Sequence, residues 1–142
     1  MTTERVAELF MKGIDCSQVV AGEFTEKTGM TLEQLRKMSA CFGGGMMCGE
    51  TCGAVTGALM VIGLVYGHDA EDDTKQKELM QQKVMEFKTR YAKKHPSTMC
   101  RDLLKHDISQ PGEMEKVLEE GTMFSYCPCV VADVIKILEE IL

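Results

Sequence analysis

The chain has 142 residues, 44% of them hydrophobic, and a formal net charge of −6. That length fits one domain, and a chain of this size buries roughly 70% of its unfolded surface, so no disulfide framework is needed to hold a fold. The acidic balance argues against nucleic acid as a partner, as does the lack of a basic stripe interleaved with aromatics.

The N-terminus, MTTERVAELFMKG, lacks the apolar run and cleavage site of a signal peptide. The longest apolar stretch, Ala54 to Tyr66, is too short to span a bilayer. These features lead to the expectation of a cytoplasmic protein with no membrane partner. The 12 methionines mostly sit at helical spacing, which suits core filling rather than a copper-binding run.

In chain order the pattern is helical nearly throughout. Thr2 or Thr3 caps a first helix with Val6, Leu9 and Phe10 on one face, ending at Gly13. Asp15 and Gln18 have capping-box spacing and open a second helix, ended by Gly29. Thr31 and Gln34 repeat that spacing before a short helix to about Ala40. A loop from Cys41 to Gly49 follows, with Gly43, Gly44 and Gly45 in a row. Such a run reaches φ values that other residues avoid and lets backbone approach a ligand.

A helix from about Glu50 to Tyr66 is apolar nearly all round, which suits a central buried element. Gly53, Ala54, Gly57 and Ala58 give it a small-residue face that packs close against another helix, within one chain or across a homodimer. A long amphipathic helix then runs from the acidic Glu71–Asp73 to about Lys94, and Pro96 stops it. A short helix carries Cys100, Leu103 and Leu104, and another spans Pro111 to Glu120. The last begins near Cys127, with Pro128 in its first turn and an apolar side from Val130 to Leu142. No convincing strand or repeat is visible. The expected fold is a single all-α domain over residues 1–142, a compact bundle of about six to eight helices around a buried central helix.

Seven cysteines stand out: Cys16, Cys41, Cys48, Cys52, Cys100, Cys127 and Cys129. Packing rarely needs that many thiols, because Ala or Val fills the same space. A thiol alone offers a soft metal ligand, a nucleophile and a reversible redox centre. On one helix Cys48 and Cys52 would have Cβ atoms about 6 Å apart, too far for a disulfide, unless the helix starts after Cys48. They would suit a metal, or each a more distant thiol. Cys48, Cys52, Cys127 and Cys129 are the candidate metal ligands, for zinc or an iron–sulfur cluster, although no short-spaced knuckle of a known type is present. A disulfide within Cys127-Pro128-Cys129 would be strained. Cys52 and Cys127 both fall near helix starts, where the helix dipole lowers a thiol pKa. Cys41 and Cys129 are the best candidates for inert buried thiols. His68, His95 and His106 read as helix-end or solvated residues. Glu50 and Asp102 lie close to cysteines in sequence and are candidate proton shuttles, against the commoner solvated role.

Four stretches carry a family resemblance: DCSQVV at 15–20, GGGMMCGETCGAVTGALMVIG at 43–63, STMCRDLL at 97–104 and YCPCVVADVIKILEEIL at 126–142. In that order they resemble the C_GCAxxG_C_C family, which is named for its cysteine pattern and associated with redox activity. The central segment here reads CGAVTG where the family name has GCAxxG. The resemblance implies a helical fold and thiol redox or electron-transfer work, with Cys16, Cys52, Cys100 and Cys127 as the catalytic cysteines. Gly53 and Gly57 match the family glycines. Gly43, Gly44, Gly45 and Gly53 are the candidate cofactor-binding or partner-admitting positions. The leading expectation is a dithiol that cycles with a disulfide against a redox partner protein or small thiol, with Cys52 and Cys127 chosen as attacking thiols. The alternatives are a cysteine-ligated metal module and a purely structural protein.

Overall fold

The computed structural model describes every residue, Met1–Leu142. It is 73% helical and has no strand, an all-α single domain. Ten α-helical segments follow one another: α1 (Thr3–Met11), α2 (Cys16–Gly22), α3 (Thr25–Thr28), α4 (Leu32–Ser39), α5 (Gly53–Tyr66), α6 (Thr74–Ala92), α7 (Cys100–Leu104), α8 (Glu113–Glu120), α9 (Thr122–Ser125) and α10 (Cys127–Ile141). The count exceeds the expected six to eight because two four-residue turns, α3 and α9, separate from longer elements.

Capping chemistry sets several starts. The Thr2 hydroxyl accepts from the Arg5 N–H at 3.2 Å. At α4, Thr31 accepts from the Gln34 N–H at 3.1 Å, while the Gln34 side chain accepts from the Thr31 N–H at 3.0 Å. Asp73 caps α6 by accepting from the Gln76 N–H at 3.1 Å. The second expected helix breaks early, at Gly22, where a Cβ would stand 2.8 Å from Leu32 of α4. Close packing of α4 against that spot replaces the continuous helix.

The core is one cluster in which α5 supplies Val55, Ala58, Val61 and Ile62, and α10 supplies Val130, Val134, Ile135 and Leu138. Helix α2 lies against α5 across the small-residue face, with Ala54 and Ala58 fully buried. A Cβ on Gly57 would come within 2.9 Å of the Ser17 carbonyl oxygen of α2. The small-residue face is therefore filled within the chain. Helix α6 covers the other side of α5 and α10 and buries only Phe87 and Tyr91. No single helix is long and apolar enough to cross a membrane.

Helix α5 starts three residues later than expected, at Gly53. The preceding residues are extended and pair antiparallel with the segment before α7. Thr51 faces Met99, the Cys52 N–H donates to the Thr98 carbonyl at 2.7 Å, and the Cys100 N–H donates to the Glu50 carbonyl at 2.7 Å. This short bridge couples two distant stretches of chain. It also takes Cys48 and Cys52 off a common helix, so their one-face spacing does not arise.

Candidate functional site

Two side chains that directly follow Cys16 anchor it. The buried Ser17 hydroxyl donates to the Ser39 carbonyl at 2.8 Å, and the Gln18 amide donates to the Arg36 carbonyl at 3.1 Å. They tie the first turn of α2 to the end of α4. Cys16 then faces the start of α5, where Gly53 has no Cβ; a methyl there would run into the Cys16 sulfur and stand 2.8 Å from the Phe42 carbonyl oxygen. Absence of that one carbon lets sulfur approach backbone.

Cys52, Cys100 and Cys127 arrive from three other directions. The extended bridge sets Cys52 opposite Thr98 and Cys100 opposite Glu50, so the two cysteines stand diagonally across it, and Arg101 reinforces it by donating to the Gly49 carbonyl at 3.0 Å and pairing with Glu50. Cys127 opens α10. A buried polar network braces the residue before it: Tyr126 hydroxyl to His95 Nδ1 at 3.1 Å, and His95 Nε2 to the Asp133 carboxylate at 2.9 Å. Tyr91 extends this bracing by donating to the Ser97 carbonyl at 2.8 Å. His95 is thus 7% exposed and fully bonded, not a solvated helix end.

The four cysteines line one cavity of about 90 Å³. Asp15 and Gly44 share its wall, and most of the remaining lining is aliphatic or aromatic. Cys100 and Cys127 also pack in a small satellite core with Leu104 and Val117. All seven cysteines are free thiols.

Within this cavity the thiols differ in acidity. Cys16 is lowered from the ordinary value of 9.0 to about 7, first by a hydrogen bond from Cys52, then by the backbone amides of Gly44 and Ser17, against the opposing effect of burial. Cys52 is pushed well above 9.0, because it keeps the proton of that shared hydrogen bond and is itself buried. Burial pushes Cys100 and Cys127 each up to about 12. The choice of Cys52 and Cys127 as low-pKa attacking thiols is therefore corrected. At Cys52 the proton it keeps toward Cys16, with burial second, outweighs the benefit of a helix start, and at Cys127 burial does; Cys16, which receives the hydrogen bonds, is the acidic thiol.

The set Cys48, Cys52, Cys127 and Cys129 is not assembled. Cys48 turns back to donate to the Gly45 carbonyl at 3.4 Å, and the exposed Cys129 donates to the Ser125 carbonyl at 3.4 Å. Two residues along a helix carry Cys129 to the opposite side from Cys127. No group of three or more His, Cys, Asp or Glu side chains is placed to hold a metal ion. Zinc or an iron–sulfur cluster does not fit this arrangement. Cys41 and Cys129, expected to be buried, are both exposed.

Of the glycines, Gly44 and Gly53 line the cavity and Gly43 and Gly45 do not. Gly43 makes room for Asp15, whose Cγ would stand 2.7 Å from a Cβ there, and Gly45 makes room for Cys100 at 2.8 Å. Gly44, Gly45, Met46 and Met47 have φ of 63°, 62°, 58° and 61°, one turn of left-handed backbone. The two methionines pay a steric cost of roughly 1–2 kcal/mol each for that conformation. The turn closes with the Glu50 N–H on the Gly45 carbonyl at 3.0 Å. Glu50 and Asp102 lie outside the cavity, paired with Arg101 and with the Ser97 hydroxyl. Asp15, read from sequence only as a cap, is the carboxylate in its wall.

The model of the family described as "Putative redox-active protein (C_GCAxxG_C_C)" matches residues 14–141. The chain belongs to this family. The match spans all four cavity cysteines and every element that positions them. The family description is that of a redox-active protein, and the structure supplies the all-α fold. No curated protein and no solved structure matches the chain.

Proposed function

We propose that this family member is a thiol–disulfide exchange protein whose working pair is Cys16 and Cys52. One observation carries the reading: Cys16 and Cys52 line the same small, mostly apolar cavity, and their titrations are tied to each other. Cys16 supplies the thiolate at neutral pH and Cys52 the second, protonated thiol. Attack by the Cys16 thiolate on a disulfide R–S–S–R forms Cys16–S–S–R and releases RS⁻. Cys52 then attacks the Cys16 sulfur, closing the Cys16–Cys52 disulfide and releasing the second RS⁻. The proton lost by Cys52 leaves on one of the two product thiols. Two electrons pass from protein to substrate, and the reverse sequence oxidises a dithiol. The partner is a redox protein or a small thiol, and a reducing compartment such as the cytoplasm would recycle the pair.

The pair is tested by oxidising the protein, blocking free thiols and mapping disulfides by mass spectrometry. The expected bridge joins Cys16 to Cys52 and disappears in Cys16→Ala and in Cys52→Ala. A bridge elsewhere, or none under any oxidant, rules the assignment out.

A further inference from the structure

The wall around the Cys16–Cys52 pair carries information about what can reach it. Phe10, Ile14, Leu103, Met123 and Val130 supply its hydrocarbon. No Lys, Arg or His lines it, and the one charged side chain is Asp15. Asp15 directly precedes Cys16, lines the same cavity and packs against Gly43, and its negative charge weakly opposes the thiolate. The volume, about 90 Å³, lies well below the roughly 300 Å³ or more of pockets that take drug-sized ligands.

We infer that the substrate class is a small, uncharged, apolar-chain disulfide, and that Asp15 is the specificity-determining residue that rejects anionic ones. This rests on the Cys16–Cys52 reading above. A carboxylate-bearing disulfide, including peptide thiols with free carboxylates, meets two costs. It must shed water in a wall with no cation to replace it, and it approaches a fixed negative charge. A neutral alkyl disulfide meets neither and gains from burial of its chains. The anionic thiolate leaving group is expelled by the same field, which favours release of RS⁻ from the mixed disulfide. Asp15 acts on this choice through charge, since Asn has almost the same shape and caps a helix equally well.

Three disulfides of similar length separate these effects: diethyl disulfide, the dianion 3,3′-dithiodipropionate and the dication cystamine. Each rate of Cys16–Cys52 bridge formation is divided by the rate with a free small thiol in the same buffer, which removes intrinsic reactivity. The normalised rate for diethyl disulfide is expected to exceed that for the dianion by about tenfold or more. In Asp15→Asn the dianion should recover by about fivefold, the factor expected for one like charge a few ångströms away in water. Equal normalised rates for the three probes, or a ratio unmoved by Asp15→Asn, would overturn the inference. Diamide, which needs no substrate pocket of this kind, is the control. Bridge formation with diamide but no discrimination sinks only the substrate class, whereas no bridge even with diamide sinks the exchange reading and this inference together.

Discussion

Cys16 and Cys127 each occupy the first residue of a helix and line the same cavity, yet their thiols move in opposite directions. Cys16 falls to about 7 and Cys127 rises to about 12. A helix start is common to both, so it cannot be what separates them. The separating factor is donors. Cys16 receives hydrogen bonds from Cys52 and from the amides of Gly44 and Ser17, and these outweigh its burial. Cys127 gains little from its backbone and meets burial almost alone. In a water-poor cavity, hydrogen-bond supply decides which sulfur ionises.

The largest effect that sharpens this comparison comes from deleting the main donor. In Cys52→Ala the Cys16 thiol should return toward 9.0, and each unit of that rise slows alkylation at neutral pH about tenfold. Cys127→Ala should leave Cys16 alkylation unchanged, because Cys127 is neutral at that pH. Cys52→Ser keeps a donor and should retain part of the depression. Iodoacetamide kinetics on the three variants check all of this, and an equal response to Cys52→Ala and Cys127→Ala would break the comparison.

Next in size is the close approach that permits the Cys16 geometry. Gly53→Ala should destabilise the fold by about 1–3 kcal/mol, as overpacking does, because its new methyl meets the Cys16 sulfur and the Phe42 carbonyl. Gly63, in the same helix, has open space at its Cβ position. Gly63→Ala should instead gain up to about 1 kcal/mol from helix propensity. Urea denaturation of both variants distinguishes a steric cost from a general intolerance of α5.

The start of α10 is braced differently, by side chains rather than by amides. Tyr126→Phe removes the hydroxyl on the buried His95 and should cost about 1 kcal/mol, measured by denaturation, with Cys16 alkylation unaltered. The smallest effect belongs to the His106 cluster on the surface. His106 is raised above 6.5 by Glu113 and Glu120, and Glu113 is lowered below 4.5 by Lys116 and His106. The histidine contribution is full below 6.5 and is lost as pH rises through its folded value. The Glu113 contribution is present above 4.5 and is lost as pH falls through its folded value. His106→Gln should therefore lower the melting temperature slightly between those limits, less so in high salt, and leave it unchanged well above them.

Much of the fold was legible because its signals are local. Capping pairs such as Thr31 with Gln34, the apolar side of α10 and the stop at Pro96 each declare themselves within a few residues. The gathering of Cys16, Cys52, Cys100 and Cys127 was legible only through their resemblance to a family pattern, since spacing does not say which helices meet. What stayed hidden depends on contacts between distant segments. The pairing of Thr51 with Met99 has no pattern in either stretch, and it moved the start of α5 away from Glu50. His95 looked like a helix end until Tyr126 and Asp133 closed over it. The acidity of Cys16 was unreadable because its donors lie 28 and 36 residues away, at Gly44 and Cys52, with only Ser17 adjacent.

The most direct measurement is site-resolved alkylation of the reduced protein across pH, with each cysteine followed by mass spectrometry. Among the four cavity thiols, Cys16 should label first, with a half-maximal rate at about pH 7, while Cys100 and Cys127 stay slow until strongly alkaline pH. Labelling of Cys52 or Cys127 ahead of Cys16 at neutral pH would contradict the account.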